Sequence, residues 1–421
     1  MVLPKIKNQN KKSRINGLKG LAILYHPYFW SFGGSERRFV EVSKHLKKFG
    51  INFDAIESYL PINSLVEADY VPYVIKLPKN LFLSLIGWLL LGGGKILTLR
   101  NMHYDFVYMT NNNLYNLLLG FLASKILSIP SIVVVHHLRW IDYTDLNAKI
   151  SFSLSKTFYF MRKLGLGILP SLFRTISSYI ENYFLKKVDV CITVSHTVAL
   201  QLRQIGCKNI TVSGNGLREN LKYVPYKKTR KFNVIYVGRF DEGKGIFDIL
   251  RVWKIIEKKL PEARLLLVGK GCLYNKVKTI AKKSNLKSIQ FLGSLKDEEV
   301  DSLMASSKVF LTLSVIEGFG LAIGEALAHN LLVVCYDIPT LREVYGDCPY
   351  VRFVKIGKIK EVAYEVINLL KEDFMSSTGF SEPRDFIKRF SWLGVAQKEY
   401  SAIKAILSKK QVEKRGDYSC H

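Results

Sequence analysis

The chain is poor in cysteine, in long apolar runs and in acid. Its six cysteines (191, 207, 272, 335, 348, 420) contain no C-x-x-C pair and no zinc-site spacing with histidine. This excludes a disulfide-framed secreted scaffold and a structural zinc module, and it points to reduced thiols on a cytosolic face. The longest uncharged run, residues 106–124, includes Asn111, Asn112, Asn113 and Asn116, and the most apolar one, residues 80–94, ends in three glycines. Spanning a bilayer takes roughly 20 mostly apolar residues, so no transmembrane helix is expected. The first 19 residues are Lys-rich without an apolar centre, so no cleavable leader is expected. Acidic side chains number 35 against 62 basic ones, a net charge of +27, and residues 1–222 hold 28 basic and 12 acidic, or +16. Such a field favours phosphates, nucleic acid or anionic lipid headgroups. No recognised nucleic-acid-binding motif accompanies it, so nucleic acid is not expected as a partner.

What is present is a globular composition, 48% hydrophobic and 23% charged, long enough for two or three domains. The most informative stretch is residues 314–328, SVIEGFGLAIGEALA. It follows a β-branched apolar run and ends in helix formers, which predicts strand, glycine-containing loop and helix. Gly318 and Gly320 leave the backbone uncovered where the helix opens and its first N–H groups lack partners. Glu317 and Glu325 stand more than a helical turn apart. They read as two separate acceptors for hydroxyls of one elongated ligand, not as a close carboxylate pair.

This stretch resembles the E-x7-E signature of the retaining, family 4-type glycosyltransferases (glycosyl transferases group 1) with the GT-B fold. The resemblance implies that Glu317 and the following backbone of Gly318, Phe319, Gly320 and Leu321 hold a donor sugar. Glu325 is implied to hold the ribose of a nucleotide. Other stretches fall in matching order. A strand at residues 18–25 and a loop ending in Gly33-Gly34-Ser35 lead into a helix from Glu36. G-x-G-x-x-G is absent, but the loop is similar to the family's GGSER-type turn beside the donor phosphates. The strand of residues 131–135 delivers His136 and His137 at its end, where open α/β sheets bind ligands. The resemblance favours His136, and the doubled histidine leaves the choice open. In the second half a strand at residues 232–237 runs into G-R-F-D-E-G-K-G. There Arg239 and Lys244 flank a turn at a helix start, where charge and helix dipole add for a diphosphate. In the resembled family these two positions grip the donor pyrophosphate. A strand at residues 289–292 ends at Gly293, the implied loop facing the nucleotide base.

The expected architecture is α/β, two Rossmann-like domains facing a central cleft. Its expected parts are a basic disordered arm (1–18), an acceptor-side domain (19–217), a linker (218–231) and a nucleotide-sugar-binding domain (232–390). A helix crossing back to the first domain (391–408) and a disordered tail (409–421) complete the chain. Residues 146–188 are the least family-like part, with seven Lys/Arg against one Glu and eight interleaved aromatics. With bases on one side and aromatics on the other they would form an interfacial element on anionic membrane, with Lys156, Arg162, Lys163 and Arg174 as its cations. The alternative is a helix pair packed within the domain with solvated charges.

The implied activity is metal-independent transfer of a hexose, with retention, from a nucleotide-diphosphate sugar to a glycan or lipid-linked acceptor. No cofactor or metal is expected. The implied location is the cytoplasm, peripheral on the inner face of the membrane. Two rivals are a nucleotide-sugar 2-epimerase of the same fold and a non-enzymatic basic scaffold binding membrane or nucleic acid.

Overall fold

The computed structural model describes residues 17–25, 33–58, 69–78, 81–141, 153–164, 166–221, 223–224, 233–371 and 383–416. Most of the expected arm, the loop of residues 26–32, Phe152, residues 225–231 of the linker and the last five residues lie outside that set.

Two parallel sheets carry the fold. The first has seven strands in the order β3-β2-β1-β4-β5-β6-β7: β1 Leu18–Leu24, β2 Ile51–Glu57, β3 Tyr70–Val74, β4 Phe106–Met109, β5 Ser131–Val135, β6 Val190–Thr193 and β7 Ile210–Val212. The second has six in the order β10-β9-β8-β11-β12-β13: β8 Asn233–Val237, β9 Arg264–Val268, β10 Ile289–Gly293, β11 Val309–Thr312, β12 Leu332–Tyr336 and β13 Val351–Val354. Every described pairing is parallel. Crossover helices therefore cover both faces, and the central strands read as continuous apolar runs. In β1, Leu21 and Ile23 enter one apolar cluster while Ala22 and Leu24 enter the other. In each sheet the order reverses beside the first strand of its unit, β1 or β8, and such switch points open crevices at the carboxyl ends of strands.

On one face of the first sheet, helix α1 (Gly34–Lys48) packs against the last helix of the chain (Trp392–Gly416). That last helix contributes Trp392, Val395, Ala396, Ile403 and Ile406 to the apolar cluster on this face. Its Glu399 is buried against Arg38 and accepts from Tyr108 Oη at 2.7 Å. The helix runs eight residues beyond the expected boundary at 408, which corrects the reading of 409–416 as disordered. No proline or glycine interrupts residues 395–415, and Lys410 Nζ pairs with Asp189 at 3.0 Å, so the polar composition is that of a docked helix end.

The expected linker is also corrected at its start. Arg218 is buried in ion pairs, and the Val224 N–H donates to Ala328 O, so this segment is docked on the second sheet's unit.

Candidate active site

Two loops of the second unit are joined into one surface. The N–H groups of Val315 and Ile316 both donate to Gly243 O. Gly245, at φ +63°, opens α7 (Ile246–Lys259) so close to β11 that a Cβ there would lie 1.8 Å from Leu313 O. Only glycine combines that left-handed backbone with that approach. The joint sets Lys244 Nζ 2.5 Å from Glu317 Oε1. The other Glu317 oxygen has no protein partner among the described residues, and the Glu317 carbonyl is fixed by the Thr340 hydroxyl at 2.8 Å. Arg239 is half-exposed beside them, its Nε 3.2 Å from Asp241 Oδ2. Burial pushes the Asp241 carboxyl up from its ordinary value, against the pull of Arg239 and Lys244.

The first unit supplies the opposite wall. The Gly318 position is so tight that a Cβ would sit 1.8 Å from His136 O and 3.2 Å from Val194. The two halves of the chain thus touch backbone to backbone where β5 ends and the glycine loop begins. His136 Nε2 lies 3.2 Å from Thr110 O. A carbonyl accepts, so Nε2 carries the proton, and Nδ1 is the lone-pair acceptor of the neutral ring. Burial, helped by Arg38, holds the His136 pKa down at about 4, so the ring is neutral at neutral pH. Burial likewise pulls His137 well down, and the nearby cations Arg139, Lys244 and Arg239 add to it. His136 is tied to the first unit, and His137 feels the field of the two proposed diphosphate cations.

Gly33 and Gly34 face this cleft. Glu36 Oε2 accepts from the Gly33 N–H at 3.0 Å and from the Ser35 hydroxyl, which shapes the turn, and Gly34 lies against Leu321 Cδ1. Gly320, at φ +81°, caps α10 (Leu321–Ala328), while Phe319 is buried against Tyr345 and Phe390. Phe319 therefore anchors the loop by its ring, and any ligand contact it makes is through backbone. Gly293, at φ +70°, ends β10 under the Lys270 side chain.

Glu325 differs most from its expected surroundings. Its Oε1 accepts from Arg37 on α1 at 3.2 Å and from Arg218 Nε at 3.0 Å. Arg37 also bonds both Asp297 oxygens at 3.1 Å, and Arg218 Nη2 reaches Asp301 at 2.5 Å. Neighbouring acids offset the burial of Arg218 and hold its guanidinium firmly charged. Sequence reading missed Arg37, Arg218, Asp297 and Asp301. Arg37 immediately follows the Gly-Gly-Ser-Glu turn and was open to that inference, whereas Arg218 lay hidden in an apparently polar linker. Glu343 spans the two units as well, accepting from the His196 and Thr197 N–H groups at the start of α6 (His196–Gln204), each at 2.6 Å. No group of His, Cys, Asp and Glu among the described residues could hold a metal ion.

The two sheets, their switch points and the cleft between them define a GT-B fold. Anabaena HepE in complex with UDP and glucose superposes with a TM-score of 0.69 at 17% identity, over 92% of this chain and 100% of that one. S. aureus TarM in complex with UDP gives 0.70 at 13% identity over the same shares. Residues 32–220 match the profile of Glycosyltransferase Family 4, and residues 218–389 that of Glycosyl transferases group 1. The chain belongs to the GT-B glycosyltransferases of group 1. Among curated relatives, the trehalose synthase of Thermococcus litoralis is 31% identical over 136 residues, 30% of this chain and 33% of that protein. The GDP-mannose:cellobiosyl-diphosphopolyprenol alpha-mannosyltransferase of Xanthomonas oryzae is 28% identical over 163 residues, 38% of this chain and 43% of the relative. These matches span about a third to two fifths of the relatives' lengths.

Proposed function

We propose that this chain transfers a hexose from a nucleotide-diphosphate sugar to a hydroxyl of a lipid-linked or membrane-proximal glycan, with retention at the anomeric carbon. The observation that carries the reading is the Lys244–Glu317 pair seated where Gly318 meets His136, so diphosphate cations, a sugar-binding carboxylate and a neutral imidazole converge on one cleft. The anomeric carbon's bond to the diphosphate breaks and a bond to the acceptor oxygen forms on the same face. The departing phosphate oxygen takes the acceptor proton. Negative charge grows on that diphosphate, and Lys244 and Arg239 lower the barrier by stabilising it in place. His136 Nδ1 accepts a hydrogen bond from a hydroxyl of donor or acceptor, and a ring neutral at pH 7 suits that role. Glu325, steadied at Oε1 by Arg37 and Arg218, has Oε2 for a ribose hydroxyl. The Gly293 loop faces the base.

The relative acting on cellobiosyl-diphosphopolyprenol supports a lipid-linked acceptor. A screen of nucleotide sugars for donor hydrolysis, with and without polyprenyl-diphosphate glycans and with EDTA present, tests the proposal. Acceptor-stimulated release of nucleoside diphosphate, unaffected by EDTA and giving a product of the donor's anomeric configuration, is expected. Strict dependence on Mg²⁺ or Mn²⁺, or conversion of a donor into its epimer without acceptor, would overturn it.

A further inference from the structure

The helix pair that sequence reading left open is built inside out. Helix α5 (Ile168–Leu185) buries Ser171, Thr175, Ser178 and Asn182, a polar row at helical spacing, against its own domain. The opposite row, Leu169, Leu172, Ile176, Tyr179 and Tyr183, is exposed, and Leu169 is 78% accessible. A surface helix in water normally faces the other way.

The neighbours continue this face. Helix α2 (Leu81–Thr98) packs on α3 (Leu114–Leu127), α3 on α5, and α5 on α4 (Leu154–Lys163). On α2 the residues Leu83, Ile86, Leu90 and Leu97 are exposed at spacings of three, four and seven, with Leu90 at 70%. Tyr159 of α4 is 71% exposed. Of the 22 large hydrophobic residues exposed among those described, 15 lie on these four helices. A concentration of this kind marks an interaction surface.

Charge says what covers it. The four helices carry six cations, Lys95, Lys125, Lys156, Arg162, Lys163 and Arg174, and one acid, Glu181, which is buried. An apolar stripe with flanking cations and no exposed acid complements an anionic bilayer surface. None of the described helices is long and apolar enough to cross a membrane, so the fit is in the interfacial plane. The place is also telling. Glu181 Oε1 accepts from Leu114 N at the start of α3, beyond the carboxyl end of β4, and Asn182 accepts from Trp140 just past β5. The earlier turns of α5 therefore continue beyond the sheet edge on the cleft side.

We propose that the exposed apolar faces of α2 and α5 insert into the headgroup region of an anionic lipid surface, with the cations of α4 and α5 at its phosphates, seating the cleft at the membrane. The inference extends the proposed function and does not depend on it, because its test uses neither donor nor acceptor. The full chain is sedimented with phosphatidylcholine vesicles and with vesicles containing about a third phosphatidylglycerol, at low and high salt. Wild type is expected to partition at least about tenfold better onto the anionic vesicles at low salt, with a residue of binding surviving high salt. The variant Leu169→Gln/Leu172→Gln/Ile176→Gln should lose about tenfold or more at both salt levels, since these side chains supply the apolar burial. Lys156→Glu/Lys163→Glu/Arg174→Glu should lose binding chiefly at low salt. All six positions are at least partly accessible, and thermal melts of both variants check that the fold is kept. Failure of wild type to pellet with anionic vesicles at low salt overturns the proposal. So does a Gln variant that pellets as wild type, or a wild-type dimer that the Gln substitutions dissociate without any vesicle binding.

Discussion

Replacing Lys244 by methionine isolates the electrostatic step. The side chain keeps its apolar stem, and its partner is the Glu317 oxygen at 2.5 Å. That pair is partly exposed, so its loss should change folding stability by less than about 1 kcal/mol. The catalytic consequence is of another size. Two unit charges about 4 Å apart interact by roughly 4 kcal/mol at an effective dielectric constant near 20. Removing one preorganised stabiliser from comparable sites costs about 2.7–4 kcal/mol. Turnover should therefore fall roughly a hundredfold to a thousandfold. Because leaving-group charge develops in the transition state, kcat should fall more than donor binding weakens. Single-turnover release of nucleoside diphosphate, alongside calorimetric binding of donor, separates the two. Lys244→Arg should recover part of the loss. A Lys244→Met enzyme with unchanged kcat and only a raised KM would refute the assignment, since Lys244 would then hold ground state and transition state alike.

Two further predictions follow from packing and burial. Gly318→Ala places a Cβ 1.8 Å from His136 O, so the halves must part where these two backbones touch, and transfer should drop at least tenfold while each unit's secondary structure, read by circular dichroism, stays intact. Burial raises the Glu181 carboxyl to about 7, so the native state holds this proton more tightly than the unfolded chain. Wild-type stability should therefore fall as pH rises from about 4.5 to 7, whereas Glu181→Gln keeps an acceptor for the Leu114 N–H and removes that slope. The variant should gain roughly 1–3 kcal/mol over wild type in denaturant melts at pH 8 and little at pH 4; equal pH profiles would place Glu181 among ordinary solvated carboxylates.

How much of this could be read from the chain follows from the range of each interaction. The strand–glycine–helix stretches at residues 314–328 and 232–259 are local: β-branched runs, glycines at the turns and helix formers sit within a few residues of one another. Their strand–turn–helix conformation was therefore legible, and just beyond the first of them Asn330 adopts the left-handed conformation (φ 59°) that its side chain tolerates better than most. What sequence could not fix is who faces whom. Glu317 meets Lys244 across 73 positions because Gly243 is tied to Val315 and Ile316 within the second unit, and Glu325 meets Arg37 across 288 because the two units dock; sequence spacing announces neither. The same limit hid Arg218 in a linker and left residues 409–416 without a helix. Helix α5 shows the physical reason most plainly. Its composition permits either face to be buried, and packing on α3 and α4 turned Ser171, Thr175, Ser178 and Asn182 inward and left Leu169, Leu172 and Ile176 facing out.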